Sequence, residues 1–461
     1  MKNKINKLII FFTIIMFLII LLILSIKSTI FFSIITVIIT LFFSKKKINK
    51  FYIWLFILSL IIRVICVLVL NYEQVYDFKI LLDASKTLAS GDYSFNQWGH
   101  LKMWGYQTGF VMYQALILKI FNNITILKIL NAIYSSLLVL IIYHFSKKIT
   151  NEKIARVTSM LYMILPFPLF LNTVLTNQHL ATLLMYLSVI FLLKENNKIR
   201  NYIVSSILLA LSNIIRPEAI IILVTLIIYE ICRIKKTKVK ETIKKLTIFM
   251  VIYLSINTIA SQIVIKTGIN PVGLTNQDPL WKFVLGFNYE TCGYYTHDDV
   301  YVQLDKEASL NLIKQRITEP PLKMVKLFAC KIDNFWLQSN LIEEGQAFEN
   351  KKINILGFEL DFNKIQNLAM TYNNQIYISI LLLTIIGIII LRKKETIKKG
   401  MFFIIMLQVC FGVFLIIEIQ PRYIYFIHIP IFVLSSYGIE YTLNITPKII
   451  KLIKKQTKET N

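Results

Sequence analysis

Apolar runs of about 20 residues, long enough as helices to cross the hydrocarbon core of a bilayer, recur along this 461-residue chain, and most end in a cluster of lysines. In hydrocarbon every backbone N–H and C=O must be satisfied internally, so runs of this kind form a bundle of helices. Hydrophobic residues make up 56% of the chain and charged residues 17%, with the charges bunched between the apolar runs rather than spread along amphipathic faces. The expected fold class is an all-α polytopic membrane protein of about twelve transmembrane helices. The spans fall near residues 8–26, 28–44, 51–70, 126–146, 154–173, 179–194, 201–215, 218–233, 246–265, 372–391, 400–418 and 423–444. The first run follows Lys2, Lys4 and Lys7 like a signal peptide, but it lacks a small-residue cleavage site and reads as a retained helix.

Orientation follows from where the lysines fall. With the N-terminus inside, Lys45 to Lys47, Lys147 and Lys148, Arg233 to Lys245, Arg392 to Lys399 and Lys448 to Lys458 all lie on the cytoplasmic side. The opposite orientation inverts that bias, so the positive-inside rule puts both termini in the cytoplasm of a multi-pass plasma-membrane protein. Two long segments, Tyr72 to Thr125 and Lys266 to Tyr372, then face outward and carry almost all the remaining acids. Met103 to Phe121 is apolar but broken by Gly, Gln and Lys, which suits a helix lying at the membrane surface. The second loop has the Gly, Pro and Asn turn signals of a small extracytoplasmic subdomain. Four regions result: an N-terminal hairpin (1–50), a transmembrane core with the first loop (51–265, loop 72–125), the loop subdomain (266–371), and C-terminal helices with a basic tail (372–461).

A net charge of +25 raises nucleic acid as a partner, but the basic residues sit in short groups at span ends. They serve topology and anionic headgroups, so no nucleic acid is expected and membrane lipids are. The five cysteines form no metal-ligand spacing. Cys292 and Cys330 share the second loop, where a disulfide and two free thiols are both open.

Several polar residues could carry chemistry. Asp77, in QVYDFKILLDASKTLASGDY, stands just beyond the third span, where a carboxylate can accept a proton from a hydroxyl; a solvated loop acid is the plain alternative. Arg63 lies inside that span, facing a bundle interior or aqueous cavity, or else snorkelling to the outer interface. Two tight turns, SNIIRPEA with Arg216 and Glu218 and EIQPRYIY with Glu418, Arg422 and Tyr423, place arginines at headgroup level. There they can bind phosphate bidentately or simply anchor the turn. In GFNYETCGYYTHDD, His297, Asp298 and Asp299 fit a solvated turn better than a metal site, though a divalent metal stays open. No P-loop or other Gly-rich phosphate fingerprint is present.

Taken together these segments resemble the protein mannosyltransferase-like and aminoarabinose transferase-like glycosyltransferases of the C-type fold. Asp77 matches the acid that opens that family's first outward loop, and YQTGFVMYQALILKIF, with Tyr106 and Gln107, matches its aromatic, Gln-containing stretch. Arg216 and Pro217 match its Arg-Pro span end, and Glu418, Gln420, Pro421, Arg422 and Tyr423 its late Glu-x-Gln-Pro-Arg-Tyr turn. GFNYETCGYYTHDD, with Asn288, looks like the Gly-x-Asn and Gly...Asp pattern of its large loop. The likeness spans about residues 51–444 on a topology derived independently. One departure stands out: many relatives carry an acid in the short outer loop that here reads LTNQHL, with Asn177 and Gln178, and an amide is no base at neutral pH.

The resemblance implies transfer of a sugar from a polyprenyl-phosphate donor to a hydroxyl of a glycan, lipid or protein on the outer face, with inversion. In that reading Asp77 is catalytic, and Arg422, Arg216 and Arg63 hold the donor phosphate. Tyr106, Gln107, Asn177, Gln178, Glu218, Asn288, His297, Asp299, Glu418 and Tyr423 are candidates to line the pocket. No cofactor is required beyond the open question of a divalent metal. Three rivals remain: a transporter or flippase of lipid-linked sugars, a polysaccharide polymerase or ligase, and a non-catalytic assembly subunit. Gly/Pro-broken helices in matching halves would favour the transporter, whereas this chain concentrates acids and aromatics in two loops.

Overall fold

The computed structural model describes residues 12–13, 48–70, 73–195, 198–234, 237, 239–337, 352–355, 358–391 and 397–459. The two expected N-terminal spans therefore lie, apart from Phe12 and Thr13, outside the described residues.

Helix α1 (Phe51–Leu70) is apolar all round, yet only Phe51, Leu55, Ser59, Arg63, Val67 and Leu70 are buried. A stripe three or four residues apart meets the protein, and the remaining faces are left for lipid. Helix α2 (Tyr76–Ala89) follows, then the short α3 (Gly99–Met103) and α4 (Thr108–Phe121). At 14 residues α4 is about 21 Å long, too short to span, and it pairs with α2 through a Ser85 hydroxyl donating to Gln114 at 2.9 Å.

The bundle continues with α5 (Ile124–Ile149), α6 (Glu152–Met163), α7 (Pro166–Leu171), α8 (Gln178–Leu192), α9 (Ile199–Ile215), α10 (Ala219–Arg233) and α11 (Val239–Lys266). Asn123 and Asn151 accept hydrogen bonds from backbone N–H groups at the starts of α5 and α6, so each helix opens on a side-chain cap. The single span expected over 154–173 is two helices, α6 and α7. Proline lacks an N–H and clashes with the preceding turn, so Pro166 ends one helix and starts the next.

The second long loop holds α12 (Trp281–Gly286), α13 (Lys306–Thr318) and α14 (Pro321–Lys331). Cys292 and Cys330 are joined by a disulfide. A small antiparallel hairpin, β1 (Lys352–Ile355) with β2 (Phe358–Asp361), departs from the all-α expectation. Its register pairs Ile353 with Leu360 and Ile355 with Phe358.

Helices α15 (Phe362–Leu391), α16 (Ile397–Ile416) and α17 (His428–Glu459) complete the bundle. Where α15 crosses α17, a Cβ on Gly438 would lie 2.0 Å from the Leu383 carbonyl oxygen and one on Gly387 2.5 Å from that of Leu434. Small residues let the two backbones approach, as membrane helices do in place of a hydrophobic driving force. Among the described residues five helical segments are long and apolar enough to cross a membrane: 51–70, 124–149, 239–266, 364–391 and 421–444. Gln178–Leu192, Ile199–Ile215 and Gly400–Ile416 are shorter apolar helices.

Candidate active site

Five segments far apart in sequence meet at one end of the bundle. Asp77 lies in the first turn of α2, where the helix dipole favours an acid. Arg422 lies on a 3-10 segment, Pro421–Ile427, that leads into α17. Across 345 residues the Arg422 Nη2 and Asp77 Oδ2 atoms stand 3.4 Å apart. The Arg422 guanidinium also lies over the Phe78 ring, at 4.9 Å from its centre. On the other carboxylate oxygen of Asp77, His100 Nδ1 is at 3.9 Å, and its Nε2 meets Gln107 Oε1 at 2.9 Å.

The ring of Tyr423 is the hub of the neighbouring charges. Arg216, Lys282 and Arg422 lie 4.9, 5.5 and 5.6 Å from its centre. Arg216 pairs with Glu218 at 2.5 Å and donates to the Asn177 side-chain oxygen at 2.7 Å. Lys282 pairs with Glu418 and donates to the Tyr423 hydroxyl at 3.1 Å, while Gln420 donates to the other oxygen of Glu418 at 2.6 Å. Burial pulls the Lys282 ammonium down, but Glu418, Tyr423 and Tyr106 more than offset it, so its pKa is raised. The pKa of Tyr295, from the second loop, is pushed up by burial and by the charges of Asp77 and Glu418.

Each cation here already faces a carboxylate, which makes burying the charge tolerable. Asp77 is the most open of the three carboxylates, 42% exposed against 13% for Glu218 and 2% for Glu418. A guanidinium that can exchange a carboxylate for a phosphate, beside a carboxylate that can take a proton, is the chemistry this end of the bundle offers.

The first and second loops hold each other in register. The Tyr106 N–H donates to the Thr275 carbonyl at 2.9 Å, and Gln277 N–H to Met103 at 3.0 Å. Gly105 has no room for a Cβ, which would sit 2.7 Å from Val272 and 2.8 Å from the Gly273 oxygen.

Other candidates are placed elsewhere. Arg63 is fully buried within the bundle, donating to Ser59 and Ser135 hydroxyls at 2.7 and 2.8 Å and to the Met163 carbonyl at 3.3 Å. It is neither snorkelling nor paired with Asp77. Asp299 is clasped by Arg316 at 2.8 and 3.0 Å and by Asn288 at 2.9 Å, so both loop residues build the subdomain. His297 is exposed and contacts Tyr295 at 3.3 Å. Among the described residues no group of three His, Cys, Asp or Glu side chains could hold a metal ion. Gln178 is buried with both amide atoms lacking a hydrogen-bond partner. Lys282 and His100 were not singled out in the sequence. A lone charge in the apolar stretch LWKFVLGF was the only signal for Lys282, and none marked His100.

A helical membrane bundle with a charged cluster at one end is the class of protein these features define. Residues 110–259 match the Dolichyl-phosphate-mannose-protein mannosyltransferase family, in agreement with the resemblance read from the sequence. That match holds Asn177, Gln178, Arg216 and Glu218, with Asp77, Lys282 and Arg422 outside it. No curated protein matches the chain. Among solved structures the archaeal oligosaccharyltransferase AglB from Archaeoglobus fulgidus, in complex with an inhibitory peptide and a dolichol-phosphate, is similar at 12% identity and a TM-score of 0.43. The alignment covers 88% of this chain and 52% of that one, so this chain spans about half its length.

Proposed function

We propose that the protein is an integral membrane glycosyltransferase that moves a sugar from a polyprenyl-phosphate donor to an acceptor hydroxyl on the outer face of the membrane. The observation that carries this reading is the 3.4 Å approach of Asp77 to Arg422, with Arg216 and Lys282 gathered on the adjoining tyrosine. It is supported by the family match over residues 110–259, whose description names a dolichyl-phosphate sugar as donor.

The donor phosphate exchanges for Asp77 on Arg422, with Arg216 as second ligand, and its polyprenyl chain lies among the helices. The released Asp77 carboxylate takes the proton of the acceptor hydroxyl as that oxygen forms a bond to the anomeric carbon. The bond from that carbon to the phosphate oxygen breaks, and polyprenyl phosphate leaves with the electron pair. Attack in line with the leaving group inverts the anomeric centre. Arg422 and Arg216 stabilise the charge that grows on the phosphate, a contribution commonly worth about 3 kcal/mol for one donor. His100, hydrogen-bonded to Gln107, stands 3.9 Å from the Asp77 carboxylate. The donor is already activated, so no nucleotide site is needed. Asn177 serves as an oxygen ligand for Arg216 and, as an amide, takes no proton.

Membranes supplied with radiolabelled polyprenyl-phosphate sugars test the assignment. Asp77→Asn should lower transfer by about 10²-fold or more, and Arg422→Ala should lower it comparably by loss of phosphate stabilisation. Undiminished transfer by both variants would remove the site. A flippase instead predicts label crossing the bilayer with no new glycosidic bond.

A further inference from the structure

The start of the turn that carries Glu418 and Arg422 is anchored by the second loop. The Glu418 N–H donates to the Lys282 carbonyl at 2.7 Å and the Ile419 N–H to the Gly293 carbonyl at 3.0 Å. Just upstream, Lys331 is only 1% exposed and its Nζ donates to the Leu415 and Ile417 carbonyls at 2.9 and 2.8 Å. A helix leaves its last carbonyls unpaired, and a lysine there both satisfies them and meets the negative end of the dipole. Lys331 thus caps α16 from outside, at the point where α16 gives way to the site.

The lysine is itself held. Gly293 has φ +82°, and a Cβ there would lie 2.2 Å from Lys331 Cε, so only glycine lets the loop lie on the lysine stem. Cys330, the residue before Lys331, is bonded to Cys292, the residue before Gly293. Gly286, at the end of α12, has its own Cβ position 2.2 Å from the Ile416 oxygen. Two strands of loop, 286–293 and 330–331, are therefore stapled to each other and both grip residues 415–419.

We propose that Lys331 is a positioning residue for donor binding, acting with the Cys292–Cys330 disulfide as a clamp that sets the turn bearing Glu418 and Arg422 against Asp77. The kinetic consequence rests on the function proposed above; the mechanical part does not.

Two variants test it in the purified full-length protein: Lys331→Met, and the double variant Cys292→Ser/Cys330→Ser, which keeps the lysine if the first fails to fold. Hydrogen exchange at the Glu418 and Ile419 amides should speed up at least about tenfold while amides of α15 stay protected. Unchanged exchange at both amides overturns the clamp. In transfer assays the Michaelis constant for the donor should rise about tenfold with kcat and the acceptor constant nearly unchanged, since mispositioned phosphate ligands weaken binding whereas simple loss of folded protein lowers only the apparent kcat. A fall in kcat alone overturns the positioning role. Should the wild type transfer no sugar, the proposed function fails while the exchange result still decides the clamp.

Discussion

Lys331 shows how one residue ties the loop to the bundle and what that costs. Burial pulls its pKa from the ordinary lysine value down to about 7, with Glu418 acting in the opposite direction. Between about pH 7 and the unfolded lysine's value near 10.4 the unfolded chain holds a proton that the folded protein has released. Stability therefore rises with pH through that window, and the cost of charging the buried amine is fully felt below it. The neutral amine still has N–H groups for both carbonyls. In detergent, the thermal midpoint of the wild type should rise relative to Lys331→Met between about pH 6.5 and about pH 9. A constant difference across that range contradicts the buried, depressed lysine. Arg63 makes the opposite case: two serine hydroxyls and two carbonyls answer the cost of an intramembrane charge with hydrogen bonds rather than a carboxylate.

At the scale of the element, the crossing of α15 and α17 is a close helix contact tied to the site, because α17 begins where the Arg422 segment ends. Gly438→Ala places a methyl 2.0 Å from a backbone oxygen that cannot rotate away. The helices must separate, at a cost of about 1–3 kcal/mol, which unfolding of the purified variant would register as a lowered midpoint. An unchanged midpoint would mean that the helices do not cross there. The buried network beneath the site adds a second constraint on the same segment. His179 contacts the Tyr425 hydroxyl at 2.9 Å and the Leu171 carbonyl at 3.0 Å, holding the Pro421–Ile427 turn from the membrane side.

For the whole molecule, the five segments that meet at the candidate site are those that the alternation of lysine clusters assigns to one side of the membrane. The two long loops also hydrogen-bond to each other, as the Tyr106 and Asn270 contacts record. This arrangement predicts sidedness. In intact cells a membrane-impermeant maleimide should label Asp92→Cys, while Lys240→Cys should react only after permeabilisation. The reverse pattern would put the site on the cytoplasmic face and exclude an extracellular acceptor.

The helical membrane class, the run boundaries near 51–70 and 201–215, and the candidacy of Asp77, Arg216 and Arg422 were legible in the amino-acid order, because hydrocarbon thickness and backbone hydrogen bonding act on consecutive residues. Pro166 was equally readable as a helix start, yet the span drawn through it shows that average hydropathy hides a local break. What only the tertiary structure decided are relations across hundreds of residues: the Asp77–Arg422 approach, the recruitment of Lys282 and His100, and the pairing of Cys292 with Cys330. The same step withdrew Asp299 into an ion pair with Arg316 and Arg63 into a serine network. Which acid stays open to solvent and which is spent on a neighbouring cation depends on packing between distant segments, and no pattern along the chain encodes that distance.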